Sequence, residues 1–242
     1  MVSDGGGRGG LLQAFVLHRR DYGDTSLLVE VFAGGLGRFP AIAKGARRAR
    51  NPASALLQPF QPLWLGVAGR GEVRTLTRVE AAGRAVPLAG RALPCGFYLN
   101  ELLMRLLGRH DPHDPLFAFY HAALSALGAG SDLETPLRQF ELRLLEELGY
   151  APCLDREAGS GAPVEPRRFY VVEAGLGPHV SAEDRGSVSG AILLGLTKGD
   201  VLDPAQQRQA RALLRGLLEP HLGPKPLKSR ELFRHWLGNE RT

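Results

Sequence analysis

Short apolar segments separated by glycine-containing turns fill the first third of the chain. Apolar residues that run together or alternate with polar residues predict strands at about 14–18, 27–32, 39–44, 63–67 and 72–79. Gly34-Gly35 and the sequence Ala-Gly-Arg-Gly at 68–71 supply turn signals between them. Several short strands with no long helix between them predict a small closed barrel of the OB-fold type.

After Pro87 the apolar residues recur with a helical period. Helices are predicted from about 97 to 108, 116 to 127, 137 to 148, 203 to 222 and 229 to 237. Thr135-Pro136 is expected to begin the third helix and Gly149 to end it, and Asp203-Pro204 is expected to begin the fourth. A segment rich in glycine and proline at about 151–189 interrupts this region, with one strand expected at 169–172.

These patterns predict an α+β protein in which an N-terminal OB-fold β-barrel precedes a C-terminal α-helical bundle. We expect a flexible tail at 1–11 and a nucleic-acid-binding barrel domain at 12–85. The helical domain is expected at 86–242, with an irregular insertion containing some β-structure at about 151–189. The sequence shows no internal repeat.

Composition narrows the class of protein. The 242 residues are 44% hydrophobic and 23% charged, which is ordinary for a folded domain, and the net charge of +5 favours an acidic partner. Cys95 and Cys153 are the two cysteines, too few for a disulfide framework or a four-thiolate zinc site, so a reducing compartment is expected. Neither a membrane span nor the apolar centre of a secretory signal is apparent. We therefore predict a cytoplasmic protein.

The stretch 37–50 combines an apolar strand with a cationic, glycine-containing loop and carries no acidic residue. Its cations are Arg38, Lys44, Arg47, Arg48 and Arg50. Such a loop suits a polyanion that is bound without reading its sequence, although a solvated basic loop is the alternative. Further candidate contacts lie in the 69–74 hairpin and in a proline-stiffened segment near the C-terminus: Arg70, Arg74, Lys225, Lys228 and Arg230.

No motif for enzymatic chemistry is present. The sequence lacks a phosphate-binding P-loop, a His-Glu-x-x-His zinc motif and a nucleophile elbow, so we expect no enzyme activity and no cofactor. A cluster resembling metal ligands occurs at 110–114, where two histidines alternate with two aspartates. Pro112 and Pro115 favour a solvated turn there, and no metal is expected.

The predicted helix at 137–148 offers a different kind of site. Its apolar stripe includes Phe140, and Arg138 and Arg143 stand beside it. An apolar groove edged by arginine suits an acidic peptide that ends in a hydrophobic residue and a free carboxylate. The alternative is that the stripe is core and both arginines are solvated.

Several local strings, in the same order along the chain, resemble the bacterial recombination mediator family RecO. In the barrel region they are AFVLH at 14–18, TSL at 25–27, AKGAR at 43–47, LQPF at 57–60 and GRGEV at 69–73. In the helical region they are LNELL at 99–103, RQFEL at 138–142, LGY at 148–150 and KPLKSREL at 225–232. The resemblance runs from about Leu12 to Trp236. Each string is short and would be weak evidence alone, but their occurrence in the same order along the chain is specific to this family.

The resemblance implies an OB-fold followed by a helical domain, without enzymatic turnover. It implies binding to single- and double-stranded DNA, annealing of complementary strands, and recognition of the acidic C-terminal tail of the single-stranded-DNA-binding protein SSB. With RecR, the family helps to place RecA on SSB-covered gaps, which implies a protein associated with the nucleoid. By position within the matching string, Arg138 is expected to meet the SSB-tail carboxylate. Many members carry a four-cysteine zinc module where this chain retains Cys153 only, so it resembles the zinc-free proteobacterial type.

Two other functions fit parts of the sequence. An OB-fold RNA-binding module associated with the ribosome or with tRNA would share the same charge and fold. A metal-dependent nuclease would use the cluster at 110–114. Preference for RNA in competition would indicate the first, and loss of labelled DNA in magnesium or manganese would indicate the second.

Overall fold

The computed structural model describes residues 10–182, 186–229 and 231–232. The chain forms two compact units, one made of Met1–Gly128 together with Pro226–Thr242 and the other of Ala129–Lys225. Of the helix predicted at 229–237, residues 229, 231 and 232 are described, and they are helical. The rest of that prediction, and residues 1–9 of the predicted tail, lie outside the described residues.

The first unit contains a closed five-stranded barrel with the strand order β1-β2-β3-β5-β4, which confirms the predicted OB-like architecture. Its strands are β1 (Leu12–Tyr22), β2 (Ser26–Ala33), β3 (Gly37–Ala43), β4 (Leu63–Ala68) and β5 (Arg74–Ala81). Neighbouring strands are antiparallel except for β3 and β5, which pair in parallel. A short helix, α1 (Ala53–Leu56), lies between β3 and β4.

The barrel core follows from the alternation of side chains along the strands. Leu27, Val29 and Val31 of β2 are buried in this core, and the residues between them face outward. Strand β1 is longer than the sequence pattern predicted, because its second half, Arg-Arg-Asp-Tyr, is polar and carries no apolar signal.

Two helices of the first unit pack against the outside of β1 and β2. They are α2 (Ala92–Leu106) and α3 (Asp114–Ala129). Phe15 contacts Phe117 and stands edge-on to Tyr120, with ring centroids 5.8 and 5.2 Å apart. The buried Asn100 donates to the Leu17 carbonyl at 2.9 Å and accepts from the Tyr120 hydroxyl at 2.5 Å. These contacts fix both helices to β1.

In its described residues, the second unit combines three helices with a small sheet of order β7-β6-β8. Its elements are α4 (Glu134–Glu147), β6 (Phe169–Glu173), β7 (Gly177–Ser181), β8 (Val188–Ser189), α5 (Gly190–Lys198) and α6 (Pro204–Leu222). Helix α6 begins at Pro204 as predicted, with Asp203 and Gln206 forming a capping box. Thr135 is not the cap of α4: the helix begins earlier, and Asp132 Oδ1 accepts from the Glu134 amide at 2.9 Å.

Candidate nucleic-acid interface

Residues 44–50, called the basic loop below, follow the end of β3. Gly45 has a φ of +67°, a left-handed conformation that glycine adopts without strain, so the chain turns directly after Lys44. Ala46 is buried, and the Arg47 amide donates to the Thr25 carbonyl at 2.8 Å. The barrel therefore holds the backbone of the basic loop in place.

All four cations of the basic loop are exposed: Lys44, Arg47, Arg48 and Arg50. Arg47 pairs with Asp21 at 3.0 Å and donates to the Gly23 carbonyl at 3.2 Å. None of the other three takes part in an ion pair with another described residue. The loop thus presents closely spaced positive charge to solvent from a fixed backbone.

Arg38, the remaining cation of the predicted stretch, is directed into the protein. Its side chain is only 13% exposed and forms an ion pair with Glu30. Its Nη2 and Nε both donate to the Leu107 carbonyl, at 2.8 and 3.2 Å. Arg38 thereby connects the barrel to the end of α2. The prediction that it contacts phosphate gains no support from this geometry.

The two cations of the β4–β5 hairpin also differ from each other. Arg70 is exposed near the tip, whereas Arg74 donates to the Gly69 carbonyl and closes the hairpin. In the parallel pairing of β3 with β5, Arg74 lies opposite Ala41. The hairpin therefore lies beside the first part of β3. Lys44 is three residues beyond Ala41, so at roughly 3.3 Å per residue it lies about 10 Å further along the strand than the hairpin.

The hairpin is attached to the segment that follows α2. Arg109 pairs with Glu72 at 2.5 Å, and the His110 ring Nε2 lies 3.0 Å from the Glu72 carbonyl oxygen. His110 also stacks on Phe39 of β3, with ring centroids 6.1 Å apart. This attachment was not predicted, because nothing local in the sequence relates residue 72 to residues 109 and 110.

The segment from Pro226 onward returns to the first unit and binds α2. The Glu101 carboxylate accepts from the Lys228 amide at 2.9 Å, and from the Ser229 amide and hydroxyl at 2.9 and 2.8 Å. Arg105 donates to the Pro226 carbonyl at 2.6 Å. Burial raises the pKa of Glu101, but these hydrogen bonds and the Arg105 charge outweigh it and hold the pKa below its ordinary value.

Of the predicted C-terminal contacts, Lys228 is exposed on the first unit. Lys225 is exposed on the second unit, and Arg230 lies outside the described residues.

Helix α4 carries the three residues predicted to bind an acidic tail. Phe140 is 1% exposed and belongs to the packed face of the helix. The Arg138 side chain is 7% exposed and pairs with Glu141 at 2.9 Å. Arg138 Nε is buried and makes no hydrogen bond to another described residue. Arg143 is exposed and pairs with Glu146 at 2.6 Å, so it is the surface cation of this group.

Neither a metal site nor a membrane-spanning helix is found in the described part of the chain. No three His, Cys, Asp or Glu side chains there converge to hold a metal ion. In the 110–114 cluster, His113 and Asp111 approach to 3.4 Å. The exposed Cys153 thiol donates to Asp155 at 2.9 Å, and this bond, with partial burial, raises the pKa of Cys153. No described helix is long and apolar enough to cross a membrane.

The second half of β1 received no role from the sequence. Arg20 and Tyr22 are both exposed there, next to the turn that the basic loop contacts through Arg47. The sequence did contain a signal for a continued strand with an exposed face: His18, Arg20 and Tyr22 are spaced two residues apart and face outward.

Comparison with known proteins agrees with this architecture. The family profile described as "Recombination protein O N terminal" matches residues 11–84, and "Recombination protein O C terminal" matches residues 88–231. The chain is 48% identical over 229 residues to the DNA repair protein RecO of Nitrosospira multiformis, covering 92% of this chain and 94% of that protein.

Two further relatives have the same description and similar coverage. The DNA repair protein RecO of Methylococcus capsulatus is 50% identical over 222 residues, covering 91% of each chain. That of Pseudomonas aeruginosa is 47% identical over 221 residues, covering 90% of this chain and 92% of the relative. With both halves matched and identity close to one residue in two, the chain belongs to the RecO family of DNA repair and recombination proteins.

Proposed function

We propose that this protein is a recombination mediator that binds single- and double-stranded DNA and anneals complementary strands without enzymatic turnover. It recognises the SSB tail and, with RecR, promotes RecA loading on SSB-coated single strands in the cytoplasm. DNA binding is inferred from the basic loop. Its cations are exposed, and its backbone is held in place by a hydrogen bond to the barrel.

The chemistry of the basic loop suits phosphate better than bases or a specific peptide. Lys44, Arg48 and Arg50 present charge without an ion-pair partner among the described residues. Cations of this kind neutralise phosphates and release counterions, which favours binding regardless of sequence. Neutralised strands repel each other less, and that is the physical requirement for annealing.

The salt dependence of binding tests this assignment. Each phosphate neutralised on a single strand contributes about 0.7 to the slope of log affinity against log salt. The double variant Lys44→Ala/Arg48→Ala should therefore lower the slope for a fluorescein-labelled oligonucleotide by about 1.4. Arg84→Ala, which removes an exposed cation of the same unit outside the basic loop, is the matched control. An unchanged slope in the double variant would remove the basic loop from the interface.

The SSB-tail site is proposed on α4. A carboxylate of the tail would supply Arg138 Nε with the acceptor that it lacks among the described residues, and Arg143 adds an exposed cation. Binding at Arg138 requires the side chain to become more accessible than it is here, because only 7% of it is exposed. Phe140 supports the helix from the core and makes no direct contact in this proposal.

Annealing of SSB-coated complementary oligonucleotides tests the whole function. The protein should accelerate annealing, and the acceleration should disappear when the SSB tail is deleted. Arg138→Ala and Arg143→Ala should weaken binding of a tail peptide and leave binding of naked DNA unchanged. Arg143→Ala is the milder variant, since Arg138→Ala removes the guanidinium that pairs with the buried Glu141. The fold of Arg138→Ala must therefore be checked by thermal unfolding.

Two results would contradict the proposal. The first is a folded protein that fails to accelerate annealing. The second is a preference for RNA over single-stranded DNA in direct competition, which would indicate the RNA-binding alternative.

A further inference from the structure

The outside of the barrel is covered by helices near one end of β1 and β2. The Phe15–Phe32 end packs against α3, with Phe32 and Phe117 ring centroids 5.4 Å apart. Further along the same face, the row Arg20–Leu28–Ile42 runs across β1, β2 and β3. Arg20 is exposed and the two apolar residues are half-buried.

Tyr22 lies on the same face, at the end of β1 nearest the basic loop. Residues two apart along a strand share a face, so Tyr22 follows Arg20 there, and its partner across the ladder is Ser26. Its side chain is among the exposed large apolar groups, at 49%. We call Arg20, Tyr22, Leu28 and Ile42 the open face.

The basic loop is joined to both neighbours of Tyr22. Arg47 pairs with Asp21 on one side at 3.0 Å and donates to the Gly23 carbonyl on the other at 3.2 Å. Lys44 continues the alternation of β3 beyond the outward-facing Ile42, which directs it to the open face as well. An exposed aromatic ring and a group of phosphate-binding cations are thus held side by side.

We propose that the open face binds unpaired bases of single-stranded DNA, with Tyr22 as the stacking platform and Leu28 and Ile42 as an apolar floor. The inference rests on the proposed DNA binding and deepens it. Aromatic side chains stack on any base, and a neighbouring positive groove follows the backbone. Bases in a duplex are already stacked and paired, so Tyr22 contributes to binding of single strands and not of duplexes.

Charge favours a nucleic acid over a protein as the occupant. Arg20, Lys44 and Arg48 are exposed near the open face. Of the two carboxylates closest in sequence to Tyr22, Asp21 is paired with Arg47 and Asp24 is exposed, so these three cations outnumber the one carboxylate that is not paired with Arg47. An apolar protein partner would have to desolvate these cations without compensation. A single strand of DNA suits both parts of this surface, because its phosphates pair with the cations and the apolar faces of its bases pack on the apolar floor.

The test compares Tyr22→Ala with the unchanged protein on three ligands of equal length: a single strand, the same strand with abasic sites at its centre, and a duplex. Tyr22→Ala should weaken binding of the intact single strand by at least about fivefold, the lower end of the effect of losing one base–aromatic stack. Affinity for the abasic strand and the duplex should be unchanged. The salt slope should also be unchanged, because no cation is removed.

Two variants complete the experiment. Tyr22→Trp should retain the affinity for the single strand, since it keeps a stacking surface. Tyr150→Ala removes another exposed tyrosine, from the second unit, and should have no effect. Equal affinity of Tyr22→Ala and the unchanged protein for the intact strand would overturn the inference. So would an equal loss on the abasic strand. Failure of the unchanged protein to bind any DNA would instead remove the proposed function.

Discussion

At the scale of single residues, the partner of an arginine decides its role. Arg38 is surrounded by acceptors within the protein, Glu30 and the Leu107 carbonyl, whereas Arg48 has no ion-pair partner among the described residues. A buried acceptor that loses its donor costs free energy because water does not replace the lost bond. The two arginines are therefore expected to contribute to different properties of the molecule.

We predict that Arg38→Ala lowers the free energy of unfolding by about 1–3 kcal/mol, because the Leu107 carbonyl loses its donor and Glu30 keeps only the longer ion pair with Arg109, at 3.7 Å. Urea unfolding measures this directly. Arg48→Ala is the matched comparison and should change the unfolding free energy by less than about 0.5 kcal/mol, as expected of an exposed side chain. If Arg38→Ala instead kept full stability and lowered the salt slope of DNA binding, Arg38 would belong to the DNA interface.

At the scale of elements, contacts between residues that are far apart in sequence hold the charged loops in place. The β4–β5 hairpin is held by Arg109 and His110, and the basic loop is held by the turn between β1 and β2. Since the two loops have separate attachments, disturbing one should leave the other ordered.

Arg109→Ala is expected to free the hairpin at 69–73 by removing the Arg109–Glu72 ion pair, and it also removes the longer contact of Arg109 with Glu30 of β2, at 3.7 Å. Amide hydrogen exchange should become faster there by several-fold, an effect of about 1 kcal/mol or less for a partly exposed pair. Exchange in the basic loop should be unchanged. Faster exchange in both loops would show that they are coupled.

Elements with local signals could be predicted from the sequence, and contacts between distant residues could not. Helix α6 was predicted because Asp203-Pro204 marks its start within one turn, and the structure adds Gln206 as the second member of the cap. Helix α5 was missed because it is a short, mostly apolar segment that follows a glycine-rich stretch, without a clear polar stripe. The basic loop was found by its charge. That Arg38 is used internally was not predicted, because one of its two acceptors, the Leu107 carbonyl, is 69 residues away and nothing local indicated that Glu30 faces it.

At the scale of the whole molecule, the first unit is built from two separate parts of the chain. Leu227 and Ser229 are buried, and Glu101 binds the segment through backbone and side-chain donors. The carboxylate must be ionised to accept all of these bonds well. Stability of the first unit should therefore depend on the ionisation of this one residue.

The pKa of Glu101 is lowered on folding, so its contribution to stability is present above the unfolded value of about 4.3 and is lost as pH falls through the folded value. We predict that Glu101→Gln lowers the free energy of unfolding by about 1 kcal/mol at pH 7. The difference between the two proteins should shrink as pH falls from about 5 to 3. Urea unfolding across this range measures it, and a constant difference would mean that Glu101 acts without its charge.

The order of synthesis gives the returning segment a further consequence. A ribosome that adds about 5–20 residues per second completes Met1–Gly128 several seconds before Pro226 is made, because Ala129–Lys225 lies between them. During that interval α2 has folded but the segment that Glu101 binds, which includes Lys228 and Ser229, has not yet been made. A nascent chain stalled before Pro226 would therefore expose the Glu101 side of α2 to chaperones and proteases. Synthesis of the segment that begins at Pro226, and not completion of the barrel, closes that surface.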